Sequence, residues 1–331
     1  MVDCCVLAPS PSSPNECSSN GHYQEDVYKP RNLQHQVAGH IGLSSPDELH
    51  VCKPCGNREL AFYMQMPESL RAHTAKLCGY AKGVSGVFQP AASLSCSYCT
   101  STEGGQRLRE RLVHHTQNIS KRPLEGNTNS PLMRRRLRKA GNCVVLSNLA
   151  AHCEHPCVAD LKLGTRQYGD GATEEKKAAQ EEKCRLSTSA EHGVRLGGMR
   201  FFDPSLNEYV SVDKYAGREM NSMELEKSLQ SFFGSSKMQP VIVQRIIERI
   251  DAMIESLSSC SGIRLFGASL LIVFDGADTD VEQSEVECKL VDFANATYPG
   301  FLDDPIIYST PDEGCVLGLR TIRTILSNLN C

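Results

Sequence analysis

Lys53, Glu59, Asp160, Lys162, Arg166, Lys176 and Asp292 are the residues of this chain whose types and surroundings suit chemistry on phosphates. Phosphoryl transfer asks for cations that hold phosphate oxygens and carboxylates that hold Mg²⁺, with little covalent chemistry from the protein. In Asp160-Leu161-Lys162 the alternation of an extended chain puts carboxylate and ammonium on one side. Gly164 lets backbone approach a ligand, and Arg166 adds a planar fork suited to phosphate oxygens. A strand with solvated charges fits the same residues, and both readings stay open. Lys53 ends a short extended segment and Glu59 lies on the next helix, where a carboxylate can orient an ammonium toward nucleotide phosphates. Alone, the pairing favours an ordinary surface ion pair. Asp292 follows Cys288-Lys289-Leu290-Val291 and suits either a Mg²⁺ ligand or a capping aspartate, with the cap favoured from this segment alone.

Two further groups have chemical spacing. Glu174-Glu175-Lys176 recurs as Glu181-Glu182-Lys183, placing Lys176 and Lys183 on one helical stripe that suits a polyphosphate, although a solvated helix with internal ion pairs is the favoured reading. Cys52 with Cys55 and Cys96 with Cys99 form CxxC pairs that together offer four zinc ligands. Their settings, a strand end and a poorly patterned stretch, favour unliganded thiols.

These residues need elements to position them. Residues 1 to 30, with Pro9-Ser10-Pro11-Ser12-Ser13-Pro14, read as a disordered tail. Gln36 to Leu43 and Glu48 to Lys53 flank Ser44-Ser45-Pro46-Asp47, as in a hairpin. Leu60, Tyr63 and Met64 give residues 57 to 66 a helical spacing that Pro67 ends or kinks. From about 92 to 140 periodicity is lost, and an insertion or loop ends in the basic run Arg134 to Lys139. Cys143 to Leu146 reads as a buried strand. Pro240 to Ser258 is amphipathic through Ile242, Ile246, Ile250, Met253 and Leu257. Strands Ser269 to Phe274 and Glu287 to Phe293 follow in hairpin connectivity. Thr310 is the expected cap of a last helix carrying Val316, Leu319, Ile322 and Leu326.

A chain of 331 residues with 40% hydrophobic content can bury a large core. The formal charge of −4 argues against a general nucleic-acid binder, so a polyanion must meet a local basic patch. The sixteen cysteines, without a leader-like start, read as reduced intracellular thiols. No apolar run approaches the roughly 20 residues that cross a bilayer.

The order and wording of these pieces resemble the inositol polyphosphate kinases, most closely the inositol hexakisphosphate kinases. The resemblance runs from about His35 to Leu326 through His35 to His40, Cys52-Lys53-Pro54, Arg58-Glu59 with Phe62-Tyr63, and above all Pro156-Cys157-Val158-Ala159-Asp160-Leu161-Lys162-Leu163-Gly164-Thr165-Arg166-Gln167. Glu175-Lys176, Ser187 to Ala190, Gly193-Val194-Arg195, Lys214-Tyr215 with Gly217-Arg218, Ser269-Leu270-Leu271 and Val291 to Ala294 continue it in order.

The resemblance implies an α+β, two-lobed kinase of antiparallel sheets with flanking helices, protein-kinase-like and ATP-grasp-like. The expected boundaries are an N-lobe over 31–146 containing the insertion, and a C-lobe over 147–331 with the inositol phosphate and Mg²⁺ sites. It also implies ATP as co-substrate, contacted by Lys53, which Glu59 orients. Leu146, Ser147, Asn148 and Leu149 would form the adenine hinge, Asp292 would hold Mg²⁺, and Asp160 and Lys162 would be catalytic, with Asp160 also available to the ribose. Arg166 and Lys176 would join Lys162 on the inositol phosphate. Ser147 stands where family hinges usually carry an acidic residue, and Asn295 where the family typically has histidine. Three readings follow: a kinase of inositol hexakisphosphate, a multikinase acting on ring hydroxyls, or a degenerate kinase serving as a scaffold. The expected partner is an inositol polyphosphate, with no nucleic acid or membrane segment required. The expected location is cytoplasmic, with nuclear entry as the alternative carried by the basic run.

Overall fold

Short strands of the N-terminal part find their polar backbone partners in one antiparallel sheet. In the computed structural model, which describes residues 31–32, 37, 43–83, 88–91, 96–121, 141–234, 239–277, 280, 285–302 and 304–329, these are β1 (Arg31–Asn32), β2 (Ser44–Ser45), β3 (His50–Cys55), β4 (Leu77–Lys82), β5 (Gln89–Pro90) and β6 (Asn142–Ser147). Their spatial order is β1-β2-β3-β6-β4-β5. The expected tail, most of the expected strand Gln36 to Leu43 and the basic run lie outside the described residues. Of the expected hairpin, β2 does pair antiparallel with β3, but Ser44 and Ser45 are strand residues and the bend shifts to residues 46–49. Ser45 Oγ donates to the carbonyl of His50 at 2.9 Å, which helps hold the shifted bend.

Because β3 alternates, it serves two environments. Cys55 joins the main core, whereas Cys52 joins a second cluster with Cys78, Phe88, Leu108, Leu112 and Val145. Helix α1 (Asn57–Gln65) follows Gly56 directly and buries Leu60, Phe62 and Tyr63. Met64, expected on that stripe, faces solvent, and Pro67 opens the short α2 (Glu68–Arg71). The stretch expected to be an unpatterned loop contains α3 (Ser97–Thr100) and the long α4 (Thr102–Lys121). Leu108 and Leu112, one helical turn apart, are buried against the second cluster. So narrow an apolar stripe among charged residues hides the helix from a periodicity reading.

The C-terminal part is built on β7 (Pro156–Leu163), where Cys157, Ala159, Leu161 and Leu163 are fully buried on one face. Next come α5 (Glu174–Arg185), α6 (Ser189–His192), β8 (Val194–Asp203), β9 (Glu208–Val212), α7 (Ala216–Glu219), α8 (Ser222–Gly234) and α9 (Gln239–Ser259). The chain closes with β10 (Arg264–Phe266), β11 (Ser269–Asp275), β12 (Val286–Val291), β13 (Asn295–Thr297) and α10 (Glu313–Leu329). The second sheet has the antiparallel order β12-β11-β7-β8-β9, so the expected hairpin of β11 and β12 is present and β7 lies at the centre; β10 pairs with β13 alone. The expected stripes of α9 and α10 are buried, and α9 packs on α10 and β12. Helix α8, unmarked by the sequence reading, adds Leu225, Leu229, Phe232 and Phe233, with Phe232 edge-on to Phe274 at 5.1 Å. Each such aromatic contributes about 1.5–3 kcal/mol by burial.

The last helix starts later than its sequence suggested. Asp312, not Thr310, caps it: Oδ1 accepts the amide of Cys315 at 3.0 Å and Oδ2 that of Leu265 at 2.7 Å. Thr310 instead accepts Arg264, through its carbonyl at 2.7 Å and its hydroxyl at 3.0 Å. Since Asp312 ties the cap to β10 and is buried, Asp312→Ala leaves two inward amides unpaired. It is expected to cost about 1–3 kcal/mol, read as a lower urea midpoint with an unchanged slope.

Candidate active site

The uncovered face of β7 carries Val158, Asp160 and Lys162, as the spacing of the two charges required. The face borders a cavity of about 800 Å³, whose walls also include β3, the chain from Leu146 to Ala151, and β8. That size suits a small-molecule site. Lys53, Glu59, Leu146, Ser147, Asn148, Leu149, Asp160, Lys162 and Asp292 all line it.

Asp292 joins the two sheets. Lys53 Nζ donates to its Oδ1 at 2.6 Å, and Lys162 Nζ donates to its Oδ2 at 2.7 Å. Lys53 also donates to Glu59 Oε1 at 2.6 Å, so the strand lysine and helix glutamate form an inward-facing pair rather than a surface one. Glu59 Oε1 accepts the amide of Phe293 at 3.2 Å, fixing the residue after Asp292. Asp292 has φ 70°, a left-handed backbone that aspartate tolerates better than branched residues. Phe293 then packs on Phe62 at 4.9 Å and Tyr63 at 5.2 Å, so α1 grips the turn presenting the carboxylate. Arg58 adds a second grip, donating from Nη2 to the Ala296 carbonyl at 2.9 Å and from Nη1 to Asp304 Oδ1 at 2.8 Å.

The two aspartates have opposite proton affinities. Burial opposes ionisation of Asp292, but Lys162 and Lys53 outweigh it and hold its carboxyl well below the usual range. Asp160 is pushed up by burial, which Lys162 only partly offsets and the charge of Asp292 reinforces. Its Oδ1 is buried without a hydrogen bond, 3.9 Å from Lys162 Nζ. Lys162 also donates to Ser269 Oγ at 2.5 Å. For both lysines burial favours the neutral form, yet their carboxylate partners raise the pKa. Hard carboxylate oxygens converging here fit Mg²⁺: Asp292 faces the cavity, and the unpaired oxygen of Asp160 is one lysine away.

The segment expected as the adenine hinge is tied by its own side chains. Ser147 Oγ accepts the amide of Lys76 at 3.0 Å, while Asn148 donates its backbone amide to Leu49 at 2.8 Å and its side chain to the Glu48 carbonyl at 2.7 Å. Ser147, where the resemblance leads to the expectation of an acid, thus has a structural partner.

Arg166 and Lys176 are not brought to the cavity. Arg166 lies over Phe266 at 4.0 Å, donates to Asp170 at 2.5 Å, and borders a separate depression with Arg264 and Tyr308. Its place follows from the turn at Gly164 (φ 89°), which carries the chain off the strand's face. Lys176 is exposed on α5, a helix that buries only Cys184 and carries the surface pairs Lys177–Glu174 and Arg185–Glu182, the solvated-helix pattern. The basic side chains that do line the cavity include Arg195, Lys214 and Arg218. All three lie within segments that carry the resemblance, with no role implied for them there. Alternation on β8 was the available signal for Arg195.

Gly197 was also missed. The pairing of β7 with β8 slips between Asp160 and Leu161, leaving Gly197 opposite the carboxylate. A Cβ there would stand 2.5 Å from Asp160 Oδ1 and 3.1 Å from the Asp160 carbonyl. Gly197→Ala is therefore expected to displace Asp160 and lower turnover on the order of 10²-fold, with far-UV circular dichroism unchanged. Asp160→Asn separates charge from shape. A carboxyl whose folded pKa is raised contributes stability below its unfolded pKa and loses it as pH rises through the folded value. The variant should match or exceed the parent Tm at pH 7 while losing turnover, and its advantage should shrink on acidification.

The arrangement is that of a phosphotransferase, and comparison with known proteins places it. The model of the family described as inositol polyphosphate kinase matches residues 143–327, more than half of the chain. The chain belongs to the inositol polyphosphate kinase family. Among its curated relatives, inositol hexakisphosphate kinase 3 of Mus musculus is 25% identical over 370 residues, covering 89% of this chain and 93% of that protein. Inositol hexakisphosphate kinase 1 of Homo sapiens is 25% identical over 407 residues, covering 89% and 92%. Among solved structures, the inositol phosphate multikinase Ipk2 of S. cerevisiae, in complex with ADP and Mn²⁺, is similar with a TM-score of 0.58 and 18% identity over 85% of this chain and 98% of that one. That likeness fixes the fold as the family's α+β architecture.

Proposed function

We propose that this protein transfers the γ-phosphoryl group of ATP to inositol hexakisphosphate, making a diphosphoinositol product. The observation that carries the transfer chemistry is the convergence of Lys53 and Lys162 on Asp292 at a cavity wall. Relatives named for inositol hexakisphosphate, matched along 89% of the chain, support the choice of acceptor. In this reading residues 31–146 form the nucleotide-side lobe and 147–331 the acceptor-side lobe. The backbone of Leu146 to Leu149 receives adenine, and Lys53, oriented by Glu59, holds phosphate oxygens. Asp292, with Asp160 beside it, would hold a Mg²⁺ bound with the nucleotide, and the ion would neutralise phosphate charge. Lys162 exchanges its carboxylate partner for the phosphoryl group in transit.

A phosphate acceptor is already anionic at neutral pH and asks little of a base, so Asp160 orients groups in this reading. The raised proton affinity of Asp160 favours a second reading, a ring-hydroxyl acceptor, because a carboxylate poised nearer neutrality accepts a proton more readily. Arg195, Lys214 and Arg218 supply the acceptor's basic contacts, and Arg218 Nε is buried without a hydrogen-bond partner.

Incubation with ATP, Mg²⁺ and a panel of inositol phosphates distinguishes the readings: a diphosphoinositol product from the hexakisphosphate supports the first, products only from acceptors with free hydroxyls the second, and binding without turnover a scaffold. Asp292→Asn keeps the backbone and removes the charge, and is expected to lower turnover by about 10²–10³-fold. Arg218→Ala is expected to raise KM for the inositol phosphate several-fold with KM for ATP unchanged; equal rises in both would remove Arg218 from the acceptor site.

A further inference from the structure

The smaller apolar cluster on the far side of the first sheet contains a group of side chains that phosphoryl transfer does not use. His50 on β3, Cys78 on β4, and Cys96 and Cys99 around α3 turn one ligand atom each toward a common point, and these atoms all lie within 4.8 Å of one another. His50 Nε2 is 3.0 Å from Cys99 Sγ and 3.5 Å from Cys96 Sγ. His50 is fully buried and Cys78 has no exposed surface, so two of the four groups are held away from solvent by the fold.

We propose that His50, Cys78, Cys96 and Cys99 form a tetrahedral zinc site. Three thiolates and one imidazole are a donor set that structural zinc takes, and zinc–sulfur bonds of about 2.3 Å with zinc–nitrogen bonds of about 2.0 Å fit four donors at this spacing. The geometry behind the histidine supports the assignment. Its Nδ1 is 2.8 Å from Asp47 Oδ1 and 3.0 Å from Asp47 Oδ2, so the ring donates its Nδ1 proton to the carboxylate and turns the Nε2 lone pair toward the three sulfurs. A carboxylate behind a histidine is the arrangement that orients metal-bound imidazoles. Cys96 is the residue before α3 and Cys99 lies in its single turn, so this CxxC pair is shaped as a knuckle. Cys52 and Cys55 contribute nothing: they belong to separate apolar clusters, and neither joins the group.

The site has a structural task. In the first sheet β6 lies between β3 and β4, so His50 and Cys78 reach across the central strand while the knuckle comes from the inserted segment. A metal at their common point ties the insertion, and α4 behind it, to the sheet. Leu108 and Leu112 of α4 join the same cluster.

The test is metal content of the full-length protein purified without chelator under reducing conditions. One zinc per chain by plasma mass spectrometry, released when a mercurial reagent titrates the thiols, is the expected result. Replacing zinc by cobalt should give the intense visible bands of a tetrahedral thiolate complex. Cys99→Ser should lose the bound zinc, whereas Cys52→Ser, altered beside the group but outside it, should keep it. If Cys99→Ser fails to fold, the parent protein's zinc and cobalt measurements decide alone. A parent protein that holds no zinc and gives no cobalt–thiolate bands when offered the ion, or one in which Cys96 and Cys99 form a disulfide, overturns the proposal.

Discussion

A carboxylate held between two ammonium groups is the interaction on which this molecule is organised. Lys53 belongs to the first sheet, Lys162 to the second, and Asp292 to the turn after β12. Burial makes each charge costly alone, so each needs the others. The surrounding structure is arranged to keep them together: Glu59 holds both Lys53 and the amide after Asp292, and Phe62, Tyr63 and Arg58 clamp the segment that follows. A partly buried ion network of this kind adds little to net stability. Its worth lies in geometry, because it brings two strands far apart in sequence to one wall of a cavity.

What the sequence disclosed follows from where information is local. Asp160 and Lys162 share a face because strands alternate, and the stripes of α9 and α10 are read from helical period; both are properties of a few consecutive residues. The meeting of Lys53 with Asp292 is not local, and resemblance to a family supplied only separate expectations, Lys53 on the nucleotide phosphates and Asp292 on Mg²⁺. Arg166 shows the limit of that route. It lies within the signature, but the left-handed turn at Gly164 takes it to another surface, where stacking on Phe266 and a bond to Asp170 occupy it.

Other features were illegible for definable reasons. The left-handed backbone of Asp292 and the slipped register at Gly197 depend on pairing between distant strands. The cap of the last helix moved two residues because Asp312 serves β10 as well as its own helix, a tertiary demand that outranks the local pattern at Thr310. Helix α4 escaped notice since two leucines suffice to seat it when the rest of its described surface is polar.

The cavity wall has one further consequence when its formal charges are counted. Lys53, Lys162, Arg195, Lys214 and Arg218 are matched there by Glu48, Glu59, Glu154, Asp160 and Asp292, so five positive charges face five negative ones. A bare triphosphate arriving there would meet no net attraction. The same triphosphate carrying a divalent cation brings positive charge of its own, and lysines already screened by carboxylates can turn to phosphate without first leaving water. In the proposed function nucleotide and metal would thus be admitted as one body, with ionic strength affecting their capture less than the presence of two lysines alone would suggest.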